Sequence, residues 1–344
     1  MNACVLYDKR DMRLEDRSQP ELGDLDVRIA IKVAGICGSD LHYYQHGKVA
    51  AFSLKEPLVL GHEACGEIVE VGKNSTLTPG DRVVINPGLV CGNCKYCLRG
   101  QENLCRDIKF MGSASYFPHI QGTFQETVVV QERQCHIVRN DTAYQVLAFA
   151  EPLSVALHAV HRAGNLFDQR VLIIGSGAIG LLVASLARLS GAAFVAITDI
   201  LDYPLQVAQK LGVDECVNAQ HDTEVMASWQ QEPNSFPIVI EATGTYKGFE
   251  AALSCASPGG KVVEVGILPG GQSEIPFSHA FAKELDILFV LRQNLQFGPA
   301  LDMLAQGKLD PLPLLSASFA LPDFEQAFAL ARDKSKAIKV QLEP

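Results

Sequence analysis

Residues 170–199 read RVLIIGSGAIGLLVASLARLSGAAFVAITD. A β-branched run, Arg170–Ile174, meets the glycine cluster Gly175-x-Gly177-x-x-Gly180. An apolar stretch of helical spacing then closes at Gly191, and a second β-branched run ends on Asp199. Two short strands joined through a helix are the signature of a parallel pair, because parallel neighbours need a crossover rather than a tight turn. The alternation continues outward. YPLQVAQKLGV (203–213) and GFEAALSCAS (248–257) have helical spacing, whereas FPIVIEATG (236–244), GGKVVEVGI (259–267) and ELDILFVL (284–291) read as strands. This pattern predicts an α/β domain over residues 148–292, a doubly wound parallel sheet with helices on both faces.

Each glycine of the cluster has a physical reason. Gly175 permits the tight turn off the strand, Gly177 lets backbone approach a pyrophosphate, and Gly180 lets helix and strand pack closely, while the helix N-terminus attracts the anion. Asp199 follows Gly175 by 24 residues, where an acid accepts a hydrogen bond from a ribose 2′-OH and repels a 2′-phosphate. An ordinary strand–helix turn is the structural alternative. The strand before, the helix after and the acid beyond favour a dinucleotide, NAD ahead of NADP, and Pro204 and the lack of an arginine just beyond Asp199 agree. Ala178, Ile179 and Gly266 complete the expected cofactor contacts.

The flanks differ in pattern. From residue 1 to 147 the chain shows short alternating runs, VRIAIKVAGI, GEIVEVG, DRVVINP, FQETVVV and CHIV, broken by Gly, Pro and Asp. Such punctuation predicts a β-rich, barrel-like domain. After residue 292 come two helical stretches, FGPALDMLAQGKL and FEQAFALARDK, and a final alternating AIKVQLE. One strand cannot form its own sheet, so the tail is expected to return to the first domain. A chain of 344 residues is long enough for two cores.

Composition narrows the functional classes. With 29 basic and 39 acidic side chains the net charge is −10, and the absence of a Lys/Arg run argues against a nucleic-acid partner. The most apolar stretch, Val171–Ala187, is interrupted by glycines and stops at Arg188, so no membrane span is expected. The opening MNACVLYDKRDMRLEDR has no apolar core behind a basic start, and a cytoplasmic location is expected.

Ten cysteines then need an account. Residues 91–105, CGNCKYCLRGQENLC, space Cys91, Cys94, Cys97 and Cys105 as C-x2-C-x2-C-x7-C. Four thiolates close a tetrahedral zinc site with no vacancy for substrate, which predicts an architectural zinc in a lobe over about residues 88–108. A cluster of small buried residues is the alternative. Cys4, Cys65, Cys135, Cys216 and Cys255 are scattered and read as small apolar residues.

Chemistry requires a second site. AGICGSDLHYY (34–44) offers Cys37, LGHEACGEIVEVG (60–72) offers His62 and Glu63, and FAEPLSVALHAVH (149–161) offers Glu151. A thiolate, an imidazole and one or two carboxylates suit a catalytic zinc with an open position. Spacing alone also admits a structural cysteine and a surface His–Glu pair.

GHEACGEIVEVGKNS (61–75), PGDRVVI (79–85), the four-cysteine lobe and the Gly175 cluster follow one another in an order that resembles the zinc-dependent medium-chain alcohol dehydrogenase family, over essentially the whole chain. GICGSDLHYY (35–44) and AEPLSVALHAVH (150–161) resemble its polyol branch, which includes sorbitol dehydrogenases. SDLHYYQHGKV (39–49), GSASYFPH (112–119) and PLPLLSA (311–317) resemble most closely the members acting on a sugar acid.

The resemblance implies a GroES-like β-rich catalytic domain, residues 1–147 and 293–344, and a Rossmann domain, residues 148–292. It also implies two zinc ions per chain, NAD or NADP, a polyol or sugar-acid substrate, and a homodimer or homotetramer. Cys37 and His62 would hold the catalytic zinc directly, and Glu63 and Glu151 directly or through water. Glu151 stands where simple alcohol dehydrogenases carry a third-ligand cysteine. Some sorbitol dehydrogenases lack the structural cysteines, whereas this chain keeps all four.

For the reaction, the resemblance implies that zinc acidifies a secondary hydroxyl and hydride passes to the nicotinamide, with Ser39 the first relay hydroxyl for the released proton and His42 the terminal histidine. A turn serine and a solvated loop histidine are their alternatives. Arg292 or Lys48 would meet a substrate carboxylate, and Tyr43 and Phe110 would line the pocket, against surface charge and core packing. A non-catalytic relative would be expected to have lost ligands; the full set is present.

Overall fold

The computed structural model describes residues 1–269, 275 and 277–344. It divides into two compact units, one of Met1–Glu151, Phe297–Asp333 and Lys339–Pro344, the other of Pro152–Gln296 and Lys334–Ile338.

The first unit opens with an antiparallel hairpin, β1 (Asn2–Asp8) and β2 (Asp11–Asp16). Strand β3 (Asp26–Gly35), DVRIAIKVAG, buries Val27, Ile29, Ile31 and Val33, the period of two expected when one face meets a core. Helix α1 (Gly38–His46) follows directly, then β4 (Glu63–Val71), β5 (Arg82–Ile85), β6 (Thr127–Gln131) and β7 (Cys135–Val138). β3 organises this part. It pairs with β4 along one edge, through two register shifts, and with β6 along Asp26–Ala30 on the other. Such shifts bend a strand and raise its twist, which lets a sheet curl. Helix α2 (Ala150–Ala163) then leads into the second unit.

There the chain alternates as its period demands: β8 (Arg170–Ile174), α3 (Ala178–Leu189), β9 (Phe194–Asp199), α4 (Asp202–Lys210), β10 (Glu215–Asn218), β11 (Phe236–Glu241), α5 (Tyr246–Cys255), β12 (Ala256–Glu264) and β13 (Asp286–Phe289). The strands form one sheet in the order β10-β9-β8-β11-β12-β13, every neighbouring pair parallel. Leu172, Val239, Phe236, Phe249 and Trp229 sit in its core. The winding reverses between β8 and β11, and open sheets of this kind bind ligands beyond the carboxyl ends of the strands at that point.

The chain then returns to the first unit through α6 (Phe297–Ala305), β14 (Leu315–Ala320), α7 (Phe324–Arg332) and β15 (Lys339–Glu343). β15 pairs antiparallel with β3 at Ala34 and Gly35 and parallel with β14, giving the order β7-β5-β4-β3-β15-β14 with β6 also on β3. Among the described residues, no helix is long and apolar enough to cross a membrane.

Candidate metal centres and dinucleotide site

The four cysteines of the lobe converge. Cys91 and Cys97 sulfurs stand 3.9 Å apart, Cys94 and Cys97 3.5 Å, and Cys91 and Cys105 3.5 Å. Sulfurs placed tetrahedrally at about 2.3 Å from one zinc would be about 3.8 Å apart, so this cage fits the ion. Short 3-10 turns at Cys97–Arg99 and Glu102–Leu104 carry the chain around it. The backbone N–H of Cys97 and further donors pull the Cys94 thiol down to about 6. Burial and the bond from Cys94 push Cys97 up to about 12. Of the other cysteines, Cys4, Cys65 and Cys255 are buried, while Cys135 and Cys216 are half-buried.

A second group lies elsewhere in the first unit. One ligand atom each from Cys37, His62 and Glu63 lies within 4.8 Å of the others. Cys37 precedes α1, and its backbone N–H donates to Asp40 Oδ2 at 2.8 Å, so the carboxylate on the helix's first turn fixes the start of the helix. Asp40 is fully buried, accepts from Gly61 N at 3.1 Å, and stands 3.7 Å from His62 Nδ1. Burial raises the Asp40 pKa, although His62 opposes it. Burial works against charge on His62, but Asp40, then Cys37 and Glu151, outweigh it, and the His62 pKa stands well above its usual value. Glu151, on the first turn of α2, is buried; burial carries its pKa to about 7 against the pull of His62. It is not one of the three residues whose ligand atoms converge. A soft thiolate, an imidazole without a partner at Nδ1 and buried carboxylates suit a divalent cation such as zinc.

Glu63 has a second claim upon it. Both its oxygens accept from Lys339 Nζ, at 2.8 and 2.7 Å, and the ammonium also donates to Ile36 O at 3.2 Å. The Glu63 side chain lies across Gly35, where a Cβ would come within 2.1 Å of Oε2. Asp40 and Lys339 were not singled out from sequence. Cys-x-x-Asp at the start of a helix, a variant of the capping box, was the available signal for Asp40; Lys339 sits on the polar alternation of AIKVQLE with Gln341 and Glu343, so the sequence carried no signal for its burial.

The remaining expected residues of this unit separate. Phe110 packs its ring 5.5 Å from that of His62. Tyr43 is buried, and its hydroxyl accepts from Ala114 N at 3.0 Å, so it anchors that loop. Ser39 is half-buried and His42 exposed, three residues apart on α1. Lys48 is exposed in a small hairpin.

In the second unit the glycine cluster behaves as a cradle. Gly175 has φ +100°, and a Cβ there would meet Thr243 Cγ2 at 2.7 Å; a Cβ on Gly180 would come within 1.9 Å of Gly175 O. Nothing lies within 4 Å of a Cβ on Gly177, so packing does not explain that glycine, whereas room for a ligand does. Gly177 caps α3 with no side-chain acceptor, leaving the N–H groups of Ala178, Ile179 and Gly180 at an uncapped helix start. Asp199 accepts from Ser176, Ile200 and Leu201. Gly266 has a packing reason of its own, since a Cβ would fall 2.1 Å from Gly244 N. Arg292 adopts φ +55°, a left-handed conformation that a non-glycine residue holds only under local constraint.

Comparison with known proteins agrees with this geometry. The family described as Alcohol dehydrogenase GroES-like domain matches residues 23–140, and that described as Zinc-binding dehydrogenase matches residues 178–306. The L-idonate 5-dehydrogenase (NAD(P)(+)) of Escherichia coli K12 is 39% identical over 340 residues, 99% of this chain and 98% of that protein. The sorbitol dehydrogenase of Gallus gallus is 34% identical over 344 residues, 99% and 95% of the two chains. The crystal structure of L-idonate 5-dehydrogenase from Escherichia coli K-12 superposes with a TM-score of 0.94 at 38% identity, covering 100% of this chain and 98% of the other. With its thiolate cage, its Cys37–His62–Glu63 group and its glycine cradle, the chain belongs to the zinc-binding medium-chain alcohol and polyol dehydrogenase family, which couples a GroES-like domain to a Rossmann domain and works with NAD(P).

Proposed function

We propose that this chain oxidises a secondary hydroxyl of a sugar acid, L-idonate to 5-ketogluconate, and that Cys37 and His62 are the direct ligands of its catalytic zinc. The observation that carries the reading is the convergence of a thiolate, an imidazole and a buried carboxylate in a chain 39% identical to an L-idonate 5-dehydrogenase. Zinc held there supplies a Lewis acid that makes a hydroxyl acidic near neutral pH, and the nicotinamide supplies the hydride acceptor.

The chain's own residues orient the metal and move the proton. Asp40 stands 3.7 Å from His62 Nδ1, beyond a hydrogen bond, and its buried carboxyl favours positive charge at the imidazole. Glu151, buried on the first turn of α2, is the further carboxylate that would serve the metal directly or through water. Lys339, by donating to both Glu63 oxygens, fixes that carboxylate beside Cys37 and His62, where it would hold the metal directly or through water. Ser39 and exposed His42 share one face of α1, suiting a short relay to water. Lys48, exposed in its hairpin, is the cation of the first unit offered to a substrate carboxylate. A sorbitol- or xylitol-type activity is the second reading, favoured by the 34% identity to sorbitol dehydrogenase. We place the protein in the reducing cytoplasm, where ten free cysteines persist as zinc-binding thiolates and core thiols, and take its working form to be a homodimer.

A substrate panel tests the assignment. Zinc-loaded protein should reduce NAD or NADP fastest with L-idonate and more slowly with sorbitol or xylitol; the reverse order would replace the first reading by the second. Elemental analysis should give two zinc ions per chain. Cys97→Ser should lose one of them, and retention of both would contradict the four-thiolate cage.

A further inference from the structure

GSASYFPH (112–119) supplies no ligand to either metal group, yet it is tied to one of them. With the residues that follow it forms a narrow hairpin, in which Gly112 N donates to Ile120 O at 2.9 Å and Ser113 pairs with Ile120. The returning limb runs along the segment that ends in His62. Gly122 N, Phe124 N and Thr123 N donate to the carbonyls of Val59, Leu60 and Gly61 at 2.7, 3.0 and 3.0 Å. Gly112, at φ +63°, lies so close that a Cβ there would fall 2.5 Å from Gly61 O. The same hairpin reaches α1, the helix that follows Cys37, where Ala114 N donates to the Tyr43 hydroxyl at 3.0 Å. It therefore touches both stretches of chain that carry the Cys37 and His62 side chains.

His119 closes the far end of this brace. Its side chain is buried, 5% exposed. Lys55 N donates to Nε2 at 3.0 Å, so that nitrogen is an acceptor; the ring proton then sits on Nδ1, which donates to Tyr116 O at 2.9 Å. The backbone N–H of His119 donates to the Glu56 carboxylate. Accepting at one ring nitrogen while donating at the other is possible only for a neutral imidazole, and neither lysine nor arginine offers an acceptor. Segment 55–62 is thus held at its start by His119 and at its end by the returning limb. Groups that orient a metal ligand from behind change metal affinity about 10–100-fold when they are removed. We propose that His119 is a positioning residue for the catalytic zinc: by bridging the hairpin to Lys55 it holds segment 55–62, and with it His62, at the spacing from Cys37 that the metal needs. This inference rests on the reading of Cys37 and His62 as zinc ligands.

Release of zinc from the full, zinc-loaded chain to a chromophoric chelator tests it without turnover. The phase that belongs to the catalytic ion is the one that Cys37→Ser lacks. His119→Phe keeps a ring and removes both of its hydrogen bonds, and this phase should run about tenfold faster while the lobe ion leaves at the parental rate. His119→Gln, whose amide both accepts and donates, should bring release back to within about threefold of the parent. Tyr43→Phe removes the hairpin's tie to α1 and should hasten the same phase, with circular dichroism of every variant recorded alongside. Parental release of both ions from folded His119→Phe overturns the role of His119. So does equal acceleration of both ions, or a glutamine variant as fast as the phenylalanine one, since either means lost packing rather than a lost bridge. An unsubstituted protein whose zinc content is the same as that of Cys37→Ser overturns the ligand reading itself, and the inference with it.

Discussion

A lysine ammonium sealed from water needs a countercharge, and Lys339 has one in Glu63. The side chains are 5% and 1% exposed at a separation of 2.7 Å. Burial pulls the lysine pKa down, but Glu63 and then Cys37 more than restore it, and the balance is upward. Removing one member of such a pair leaves the other buried and uncompensated, at a cost of about 3–5 kcal/mol. Lys339→Met should lose about that much in urea unfolding of zinc-free protein, and a Glu63→Gln/Lys339→Met double variant should recover most of it. Zinc should shrink the penalty of the single variant, because a cation beside Cys37 and His62 replaces part of the lost positive charge. Equal losses in the single and double variants would mean that packing, rather than charge, is what Lys339 supplies. None of this pairing is local, since 276 positions separate the partners. Cys37, His62 and Glu63 were legible as donor types in a familiar order, whereas the partners that tune them depend on which strands become neighbours.

At the scale of elements, period carried most of the information. The runs around β3, β8, β9, β11 and β12 alternate or stay β-branched between glycines, and each became a strand. α1 was less legible: GSDLHYYQH mixes polar and aromatic residues with little apolar periodicity, and its start is marked by Asp40 instead. Register was not legible at all, and it sets an unexpected pair. Glu241 and Glu264 end neighbouring strands β11 and β12 and face each other as partners, 0% and 2% exposed. Thr243 N and Gly244 N donate to Glu241 at 2.8 and 3.0 Å, while neither Glu264 oxygen has a hydrogen-bond partner among the described residues. Burial, and then the neighbouring Glu241, push Glu264 up to about 10, from an ordinary value of 4.5. Between those values the unfolded chain ionises this group and the folded chain does not, so its contribution to stability, fully present below the lower value, is lost as pH rises towards the higher. Glu264→Gln is neutral throughout. The urea midpoint of the variant relative to the parent should therefore climb steadily from pH 6 to pH 9, and a pH-independent difference would show that Glu264 is ionised in the folded protein.

For the whole molecule the open question is what covers the end of the parallel sheet. β13 is its last strand and pairs with β12 only, among the described residues. Phe289 on that strand is 62% exposed, and Leu291 and Leu295 just beyond are 49% and 54% exposed. An edge strand with exposed apolar side chains is a template for another strand, and monomeric proteins blunt such edges with charge or cover. A net charge of −10 per chain opposes non-specific association, so a contact between copies at this edge would draw on apolar burial and strand pairing. Two copies related by a two-fold axis would set their β13 strands antiparallel, joining two six-stranded sheets with the same residues contributed from each side. Light scattering behind size exclusion should give twice the 37.3 kDa chain mass. Phe289→Asp places two like charges near that axis and should return the protein to the single-chain mass at micromolar concentration, with far-ultraviolet circular dichroism unchanged. A variant that keeps the dimer mass would move the interface away from β13, whereas a fourfold mass that falls to twofold on substitution would keep this edge as one of two contacts in a tetramer.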